Sequence, residues 1–186
     1  MPRTRTRAAA VVLVAITAVV ALGAAPAEAS APTLALGDSV MLGSLAPLRA
    51  HGVRVDAKVS RQFSMAPALV RAYRRASSLP SNVVVHLGTN GTVSGSDCRA
   101  VVDAAGPARR VFLVTIHARR VWTTQANRSI RACAAHYGTA RVVVLDWATL
   151  AAAHPGWFWS DGIHPNSTGQ RSYAAMVTAG VARYGV

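Results

Sequence analysis

The chain alternates short β-branched apolar runs with stretches of helical period. The apolar runs are long enough to be strands and apolar enough to be buried on both faces, and they cover residues 33–36, 53–59, 83–87, 111–116 and 142–146. Helical stretches lie between them at about 40–50, 66–77, 97–105 and 124–137. This alternation predicts an α/β fold: a five-stranded parallel sheet in a three-layer α/β/α sandwich, which binds ligands at the carboxyl ends of its strands.

The last helix has the clearest pattern. Ser167, with Gln170 three positions later, predicts a capping box at its start. An apolar stripe at helical spacing follows and is expected to pack into the core; it comprises Tyr173, Met176, Val177, Val181 and Tyr184.

Residues 1–29 are typical of a secretory signal peptide. Arginines at positions 3, 5 and 7 precede an apolar run over 8–25, and Ala27-Glu28-Ala29 supplies the small residues of a cleavage site. An uncleaved membrane anchor is the alternative, because the run approaches the length that spans a bilayer. We expect cleavage, which leaves residues 30–186 as a single domain outside the cytoplasm, without a membrane span.

Export affects the interpretation of the two cysteines, Cys98 and Cys133. An even pair in an oxidising compartment predicts a disulfide, worth about 4 kcal/mol for a loop of this length. Two buried free thiols are the alternative. No cluster of cysteine and histidine has the spacing of a zinc site, so we expect no metal.

The chain is strongly basic, with 20 Lys plus Arg against 7 Asp plus Glu and a formal net charge of +13. The arginines are scattered and form no nucleic-acid-binding motif, so no nucleic-acid partner is expected. The charge suits attraction to an anionic cell-surface polymer. A hydrophobic content of 52% excludes disorder as the main state.

Polar motifs with the residues of a nucleophilic site follow the predicted strands. A Gly-Asp-Ser turn ends at Ser39 and leaves that hydroxyl exposed at the start of a helix, where it can act as a nucleophile. An Asp-Gly-Ile-His motif from Asp161 to His164 supplies a general base and a carboxylate that holds its imidazole. A Gly-Thr-Asn turn ends at Asn90, whose amide can donate to the oxyanion of a tetrahedral intermediate.

Three further polar residues near the strand ends are expected to be structural. Asp38 is predicted to make a local cap or turn bond that shapes the nucleophile turn. His86 and His117 lie in or just after strands, and satisfied structural histidines are the favoured interpretation.

With these motifs the sequence resembles the SGNH hydrolases, also called GDSL-type esterases. The matching blocks end at Ser39, Asn90 and His164, and cover nearly all of residues 30–186. Through residues 37–42 and 56–62, the chain is most similar to extracytoplasmic domains related to bacterial cell-wall O-acetyltransferases. The resemblance implies a flavodoxin-like strand order 2-1-3-4-5, with Ser39 and Asn90 facing each other at the topological switch point.

The resemblance also implies an oxyanion hole with three donors. These are the backbone N–H of Ser39, the amide of Asn90 and the backbone N–H of Ser60. The family carries glycine where this chain has Ser60, so the third donor depends on backbone angles that suit a residue with a side chain.

Candidate substrate contacts lie beside two of the blocks. Arg61 and Gln62 follow Ser60, with a solvated loop as the alternative interpretation. Trp157, Phe158 and Trp159 precede the His164 motif and could stack on a sugar or acyl group. Packing against the last helix is the alternative for these aromatic residues.

Together these features predict a secreted serine carboxylic-ester hydrolase that works through an acyl-Ser39 intermediate without a cofactor. Its expected substrates are small acyl esters, such as the acetyl groups of a cell-wall polysaccharide. One alternative is an O-acetyltransferase to cell-wall sugars with the same residues; the chain lacks the multi-span acyltransferase domain of such relatives, which favours hydrolysis. The other is a non-catalytic carbohydrate-binding module, suggested by Ser60 and the aromatic residues.

Overall fold

A single parallel sheet organises the computed structural model, which describes residues 31–186. The strand order is β2-β1-β3-β4-β5, and each neighbouring pair is parallel. The strands are β1 (Thr33–Gly37), β2 (Arg54–Ala57), β3 (Asn82–His86), β4 (Arg110–Val114) and β5 (Val142–Leu145). The predicted fold class and strand order are confirmed, whereas the predicted signal peptide lies outside the described residues.

Helices cover both faces of the sheet. They are α1 (Ser39–Gly43), α2 (Leu45–Ala50), α3 (Ala66–Arg75), α4 (Gly95–Ala105), α5 (Thr123–Tyr137), α6 (Trp147–Ala152) and α7 (Ser167–Tyr184), with short 3-10 turns at Phe63–Met65 and Pro155–Trp157. Leu34 and Leu36 of β1 face a core with α3, α4 and α5, while Ala35 faces a second core with α7. The period of two along a buried strand thus separates the two cores.

Two predicted elements differ from the observed ones. The strand predicted over 53–59 covers only Arg54–Ala57 and is partly exposed, because β2 is the edge strand and pairs with β1 alone. The single helix predicted over 40–50 is divided at Ser44, whose buried hydroxyl donates to the carbonyl oxygen of Val40. Helix α6 was not predicted.

The start of α7 corrects the predicted capping box. Asn166, not Ser167, is the N-cap: its Oδ1 accepts from the backbone N–H groups of Thr168 at 3.1 Å and Gly169 at 3.2 Å. Gln170 donates instead to the carbonyl oxygen of Pro165. The predicted apolar stripe is confirmed, with Tyr173, Val177 and Val181 buried.

The predicted disulfide is present. Cys98 of α4 is bonded to Cys133 of α5, with their Cα atoms 6.3 Å apart. The bond joins two neighbouring helices on one face of the sheet.

Membrane-spanning helices were sought among residues 31–186. None of the helices there has both the length and the apolar character needed to cross a bilayer.

The cap assignment predicts different effects for two adjacent substitutions. Asn166→Ala should lower the free energy of unfolding by about 1 to 2 kcal/mol, because it leaves two first-turn N–H groups without their acceptor. Ser167→Ala, in an exposed residue, should change it by less than about 0.5 kcal/mol. Urea unfolding followed by circular dichroism measures both. A larger loss in Ser167→Ala than in Asn166→Ala would contradict the assignment.

Candidate active site

The turn after β1 presents Ser39 at the carboxyl edge of the sheet. A Cβ atom at Gly37 would overlap the side chain of Met41, so α1 can fold back on the strand end only over glycine. Buried Asp38 caps α1, its Oδ1 accepting from the N–H of Val40 at 3.0 Å. The predicted local role of Asp38 is therefore confirmed, and Ser39 becomes the first residue of α1.

A tight loop between the Pro155–Trp157 turn and α7 carries the second motif. The loop is closed by an antiparallel bridge between Phe158 and Pro165 and by a 3.0 Å hydrogen bond from the N–H of Trp159 to the carbonyl oxygen of His164. Gly162 lies at its tip with φ of 66°, a conformation that favours glycine. This closure brings the side chains at the two ends of the Asp-Gly-Ile-His motif together.

Ser39, His164 and Asp161 form a continuous hydrogen-bonded chain. The Nε2 atom of His164 lies 3.0 Å from the Oγ atom of Ser39, and its Nδ1 atom lies 2.6 Å from Oδ2 of Asp161. The other oxygen of Asp161 accepts from the backbone N–H groups of Ile163 and His164. Nδ1 therefore donates to the carboxylate, which leaves Nε2 as the acceptor for the serine hydroxyl.

Hydrogen bonds further favour the ionised form of Asp161, whose side chain is 46% exposed. The bond from the His164 imidazole is the largest contribution, followed by that from the His164 backbone N–H, and together they lower the pKa of Asp161 to about 2. The carboxylate is thus available to stabilise an imidazolium at neutral pH.

The turn after β3 places Asn90 beside the loop that carries residue 60. Gly88 has φ of 124°, and an added Cβ would lie 2.5 Å from Cδ1 of Ile116. Its carbonyl oxygen accepts from the indole N–H of Trp122 at 3.0 Å. The Asn90 amide makes a long, 3.5 Å hydrogen bond to the carbonyl oxygen of Arg61.

Ser60 adopts a backbone conformation that glycine favours. Its φ is 61°, and it occupies the third position of a turn closed by the N–H of Arg61 and the carbonyl oxygen of Lys58. A turn with positive φ at this position commonly contains glycine. The chain therefore keeps a glycine-like backbone at residue 60, at a cost of about 1 to 2 kcal/mol of strain.

The guanidinium of Arg61 is buried inside this loop, which differs from the predicted contact with substrate. It donates to Oδ1 of Asp56 at 2.7 Å and to the backbone carbonyl oxygen of Asp56 at 2.6 Å. The second carboxylate oxygen of Asp56 accepts from Tyr73. The charge of Arg61 is thus already paired, and the side chain holds the loop in shape. Gln62 is exposed and lies against Gly91, so its predicted contact stays a prediction.

The three aromatic residues of the loop have different environments. Trp157 is half-buried and stacks on His154, with ring centroids 3.9 Å apart. The carbonyl oxygen of Trp157 packs against Gly169 of α7. Phe158 stacks on His117 at 4.7 Å. Trp159 is 59% exposed. The packing alternative therefore describes Trp157, and an exposed aromatic surface is found at Trp159.

His86 is buried beneath the nucleophile turn. Its Nδ1 atom lies 2.9 Å from the hydroxyl of Tyr173, and the two rings stack. Burial lowers the pKa of His86, so the imidazole stays neutral. This environment agrees with a structural role, but the buried Nε2 atom has no hydrogen-bond partner among the described residues, so the imidazole is only partly satisfied. Across residues 31–186, no group of three or more histidine, cysteine or acidic side chains is arranged to hold a metal ion.

The chain is similar in sequence to several known proteins. No family model matches the chain. The YrhL protein of Bacillus subtilis is 33% identical over 154 residues, which are 82% of this chain and 24% of that protein. The peptidoglycan O-acetyltransferase OatA of Listeria monocytogenes is 31% identical over 149 residues, 79% of this chain and 23% of that protein. The chain is a homologue of OatA-type O-acetyltransferases.

The fold agrees with this relationship. The C-terminal catalytic domain of OatA from Streptococcus pneumoniae matches with a TM-score of 0.75 at 22% identity, over 83% of this chain and 94% of that domain. The expected SGNH-type fold is confirmed. The chain spans about a quarter of the length of the curated relatives it matches, which are named as O-acetyltransferases.

The depressed pKa of Asp161 predicts an acid-sensitive contribution to stability. Because the ordinary pKa of aspartate is about 3.9 and the folded value is about 2, the contribution is full above about pH 4 and is lost as the pH falls through about 2. Wild type should therefore lose its stability advantage over Asp161→Asn between about pH 4 and pH 2. Urea unfolding across this range measures the difference. A difference independent of pH between 5 and 2 would count against these hydrogen bonds.

The backbone at residue 60 predicts different changes in stability for two substitutions. Ser60→Gly should leave the free energy of unfolding within about 1 kcal/mol of wild type, since relief of strain offsets the entropy of glycine in the unfolded chain. Ser60→Val should lower it by about 1 to 3 kcal/mol, because a β-branched residue is disfavoured at positive φ. Thermal unfolding compares them, with Ser64→Val, at an exposed position close in sequence, as the control. Equal stability of the two variants at position 60 would contradict the left-handed conformation.

Proposed function

We propose that this chain is an O-acetyltransferase domain that moves an acetyl group from an ester donor to a hydroxyl of a cell-wall sugar through an acetyl-Ser39 intermediate. The observation that carries the proposal is the hydrogen-bonded chain from Ser39 through His164 to Asp161. A non-catalytic module would have no need of a serine, an imidazole and an ionised carboxylate aligned in this way.

In the first half of the reaction, the Oγ atom of Ser39 attacks the ester carbonyl of the donor. Nε2 of His164 takes the hydroxyl proton, and Asp161 stabilises the imidazolium that forms. When the tetrahedral intermediate collapses, the carbon–oxygen bond to the leaving alcohol breaks and His164 returns the proton to that alcohol. The products of this half are acetyl-Ser39 and the free alcohol.

Negative charge on the intermediate requires hydrogen-bond donors. We assign this role to the backbone N–H groups of Ser39 and Ser60 and to the amide of Asn90. Ser39 is the first residue of α1, and N–H groups in the first turn of a helix have no partner within the helix, which supports the assignment of its N–H. The left-handed backbone of Ser60 and the packing of Asn90 against the same loop support the other two donors. Loss of one such donor typically lowers the rate by about 100- to 1,000-fold.

The acceptor decides between transfer and hydrolysis. A hydroxyl of the acceptor gives its proton to His164 and attacks acetyl-Ser39, which forms the new ester and restores the serine hydroxyl. Water in the same position would make the domain an esterase. The names of the OatA relatives support a peptidoglycan hydroxyl as the acceptor. Because this chain matches only one part of its relatives, its length does not favour hydrolysis over transfer.

The proposal also includes a location outside the cytoplasm and a short acyl group. The predicted signal peptide and the disulfide support work outside the cytoplasm, where cell-wall glycans are found. The His164 side chain is 42% exposed, so the reacting atoms lie near the surface. Such a site suits a short acyl group such as acetyl.

The test supplies p-nitrophenyl acetate as donor and a chito-oligosaccharide as acceptor to the full chain. Wild type should release p-nitrophenol and form acetylated oligosaccharide, detected by mass spectrometry. Ser39→Ala and His164→Ala should each lower both rates by at least about 1,000-fold, since each removes a group that reacts. Ser167→Ala is the matched control and should keep wild-type rates.

Two results would contradict this proposal. Release of acetate without acetylated oligosaccharide at saturating acceptor would make the domain an esterase. Equal activity of wild type and Ser39→Ala would exclude the acyl-enzyme.

A further inference from the structure

The two reacting side chains belong to parts of the chain that are far apart in sequence. Ser39 begins α1, whereas His164 lies in the histidine loop (residues 158–165), which leads into α7. The 3.0 Å contact between Ser39 and His164 therefore depends on how α7 is held against the sheet. Among the described residues, the hydrogen bonds that close the histidine loop join it to itself and to the start of α7, and none of them reaches a strand.

A buried tyrosine connects α7 to the sheet at the catalytic edge. Tyr173 is fully buried, and its hydroxyl lies 2.9 Å from Nδ1 of His86, the last residue of β3. The two rings stack, with their centroids 5.3 Å apart. At the opposite edge, Tyr184 and Val186 make hydrogen bonds to the first residues of β4 and β3. Tyr173 and His86 therefore form the polar link between α7 and the strand end beside Ser39.

The backbone of His86 connects this link to the nucleophile turn. Its carbonyl oxygen accepts from the N–H of Asp38 at 3.3 Å, and Asp38 in turn caps α1 at Val40. Ser39 lies between these two hydrogen-bonded positions. A change in the distance between α7 and His86 would therefore change the position of Ser39 relative to His164.

A second set of contacts runs from Tyr173 to the histidine loop. The Tyr173 ring packs edge-on against Trp147, with centroids 5.1 Å apart. Trp147 is also fully buried and contacts Phe158, with centroids 6.0 Å apart. The bridge from Phe158 to Pro165 closes the loop. Tyr173 thus contacts both sides of the site through buried residues.

Protonation states set the direction of the hydrogen bond between Tyr173 and His86. Burial, followed by the charge of Asp38, raises the pKa of Tyr173 well above its ordinary value, so the phenol keeps its proton. Because burial leaves the imidazole neutral, the phenol donates to Nδ1 and the imidazole proton lies on Nε2. The buried Nε2 atom and Oδ2 of Asp38 have no hydrogen-bond partner among residues 31–186. The Tyr173 hydroxyl is therefore the polar contact that orients this ring.

We propose that Tyr173 and His86 are positioning residues, and that their hydrogen bond keeps His164 aligned with Ser39. The inference rests on the proposed function, because it adds two residues that touch neither donor nor acceptor to the machinery of that site. A displacement of about 1 Å between reacting groups can lower a rate by about 100-fold. The hydrogen bond should therefore affect the chemical step more than the binding of substrate.

The test begins with Tyr173→Phe, which removes the hydroxyl and keeps the buried ring. With the full chain and p-nitrophenyl acetate, kcat for release of p-nitrophenol should fall by at least about ten-fold, while KM stays within about two-fold of wild type. Tyr184→Phe is the matched control, since it makes the same chemical change at the other end of α7, and it should keep the wild-type kcat. Near-UV circular dichroism measures whether each variant is folded.

A second comparison separates positioning from a general effect on the fold. In a His164→Ala background, the residual rate does not use the imidazole, so Tyr173→Phe should change that rate by less than about two-fold. A variant that loosened the whole fold would lower the rate by the same factor in both backgrounds.

A double variant keeps the test valid if an unpartnered His86 disturbs folding. Tyr173→Phe combined with His86→Leu replaces the polar pair with an apolar pair and leaves neither member without a partner. Its kcat should equal that of Tyr173→Phe alone within about two-fold, because the first substitution already removes the hydrogen bond.

Equal kcat of wild type and Tyr173→Phe would overturn the proposal. An equal loss with and without His164, or a further loss of about ten-fold in the double variant, would also overturn it. The result is separable from the proposed function. A lower rate of p-nitrophenol release in Tyr173→Phe, without acetylated oligosaccharide from wild type, rejects only the transferase. Acetyl transfer that is unchanged in Tyr173→Phe rejects only the positioning role.

Discussion

The parallel pairing of β1 with β3 is the contact on which the site depends. Gly37 at the end of β1 is in register with His86 at the end of β3, so the turns that follow the two strands start side by side. The N–H of Asp38 donates to the carbonyl oxygen of His86 at 3.3 Å and ties the nucleophile turn to the neighbouring strand. The chain leaves these two strands toward different neighbours, so this is the topological switch point, where ligands commonly bind in open α/β sheets.

The fold supports a site that contains several unfavourable local features. Ser60 has a left-handed backbone, Gly88 is closely packed against Ile116, and one carboxylate oxygen of buried Asp38 has no hydrogen-bond partner. Such features persist only where the surrounding structure determines them. Two apolar cores, one on each face of the sheet, and the disulfide between α4 and α5 supply that rigidity. The histidine loop, in contrast, is held mainly by its own hydrogen bonds and by Asn166.

Local patterns predicted most of the fold and the reacting groups, because a few adjacent residues are enough to encode a buried strand, a Gly-Asp-Ser turn or an Asp-Gly-Ile-His motif. The predictions were wrong where two residues could take the same role or where a contact comes from another element of the fold. Asn166 and Ser167 are both good caps, and the closure of the loop selects the first. Arg61 is buried because Asp56 reaches it from β2, which no local pattern reveals. A cavity beside the histidine loop is lined by residues 117 and 119 and by residues between 151 and 162, so its lining could be found only from the folded chain.

The proposed acetyl transfer passes through Ser39. The most direct measurement is the intact mass of the full chain after brief exposure to p-nitrophenyl acetate, followed by peptide mapping of the modified site. We expect the mass of one added acetyl group, located on the peptide that contains Ser39, and its loss when a glycan acceptor is added. An acetyl group on another residue, or turnover with no trapped acetyl-enzyme at any time, would contradict it.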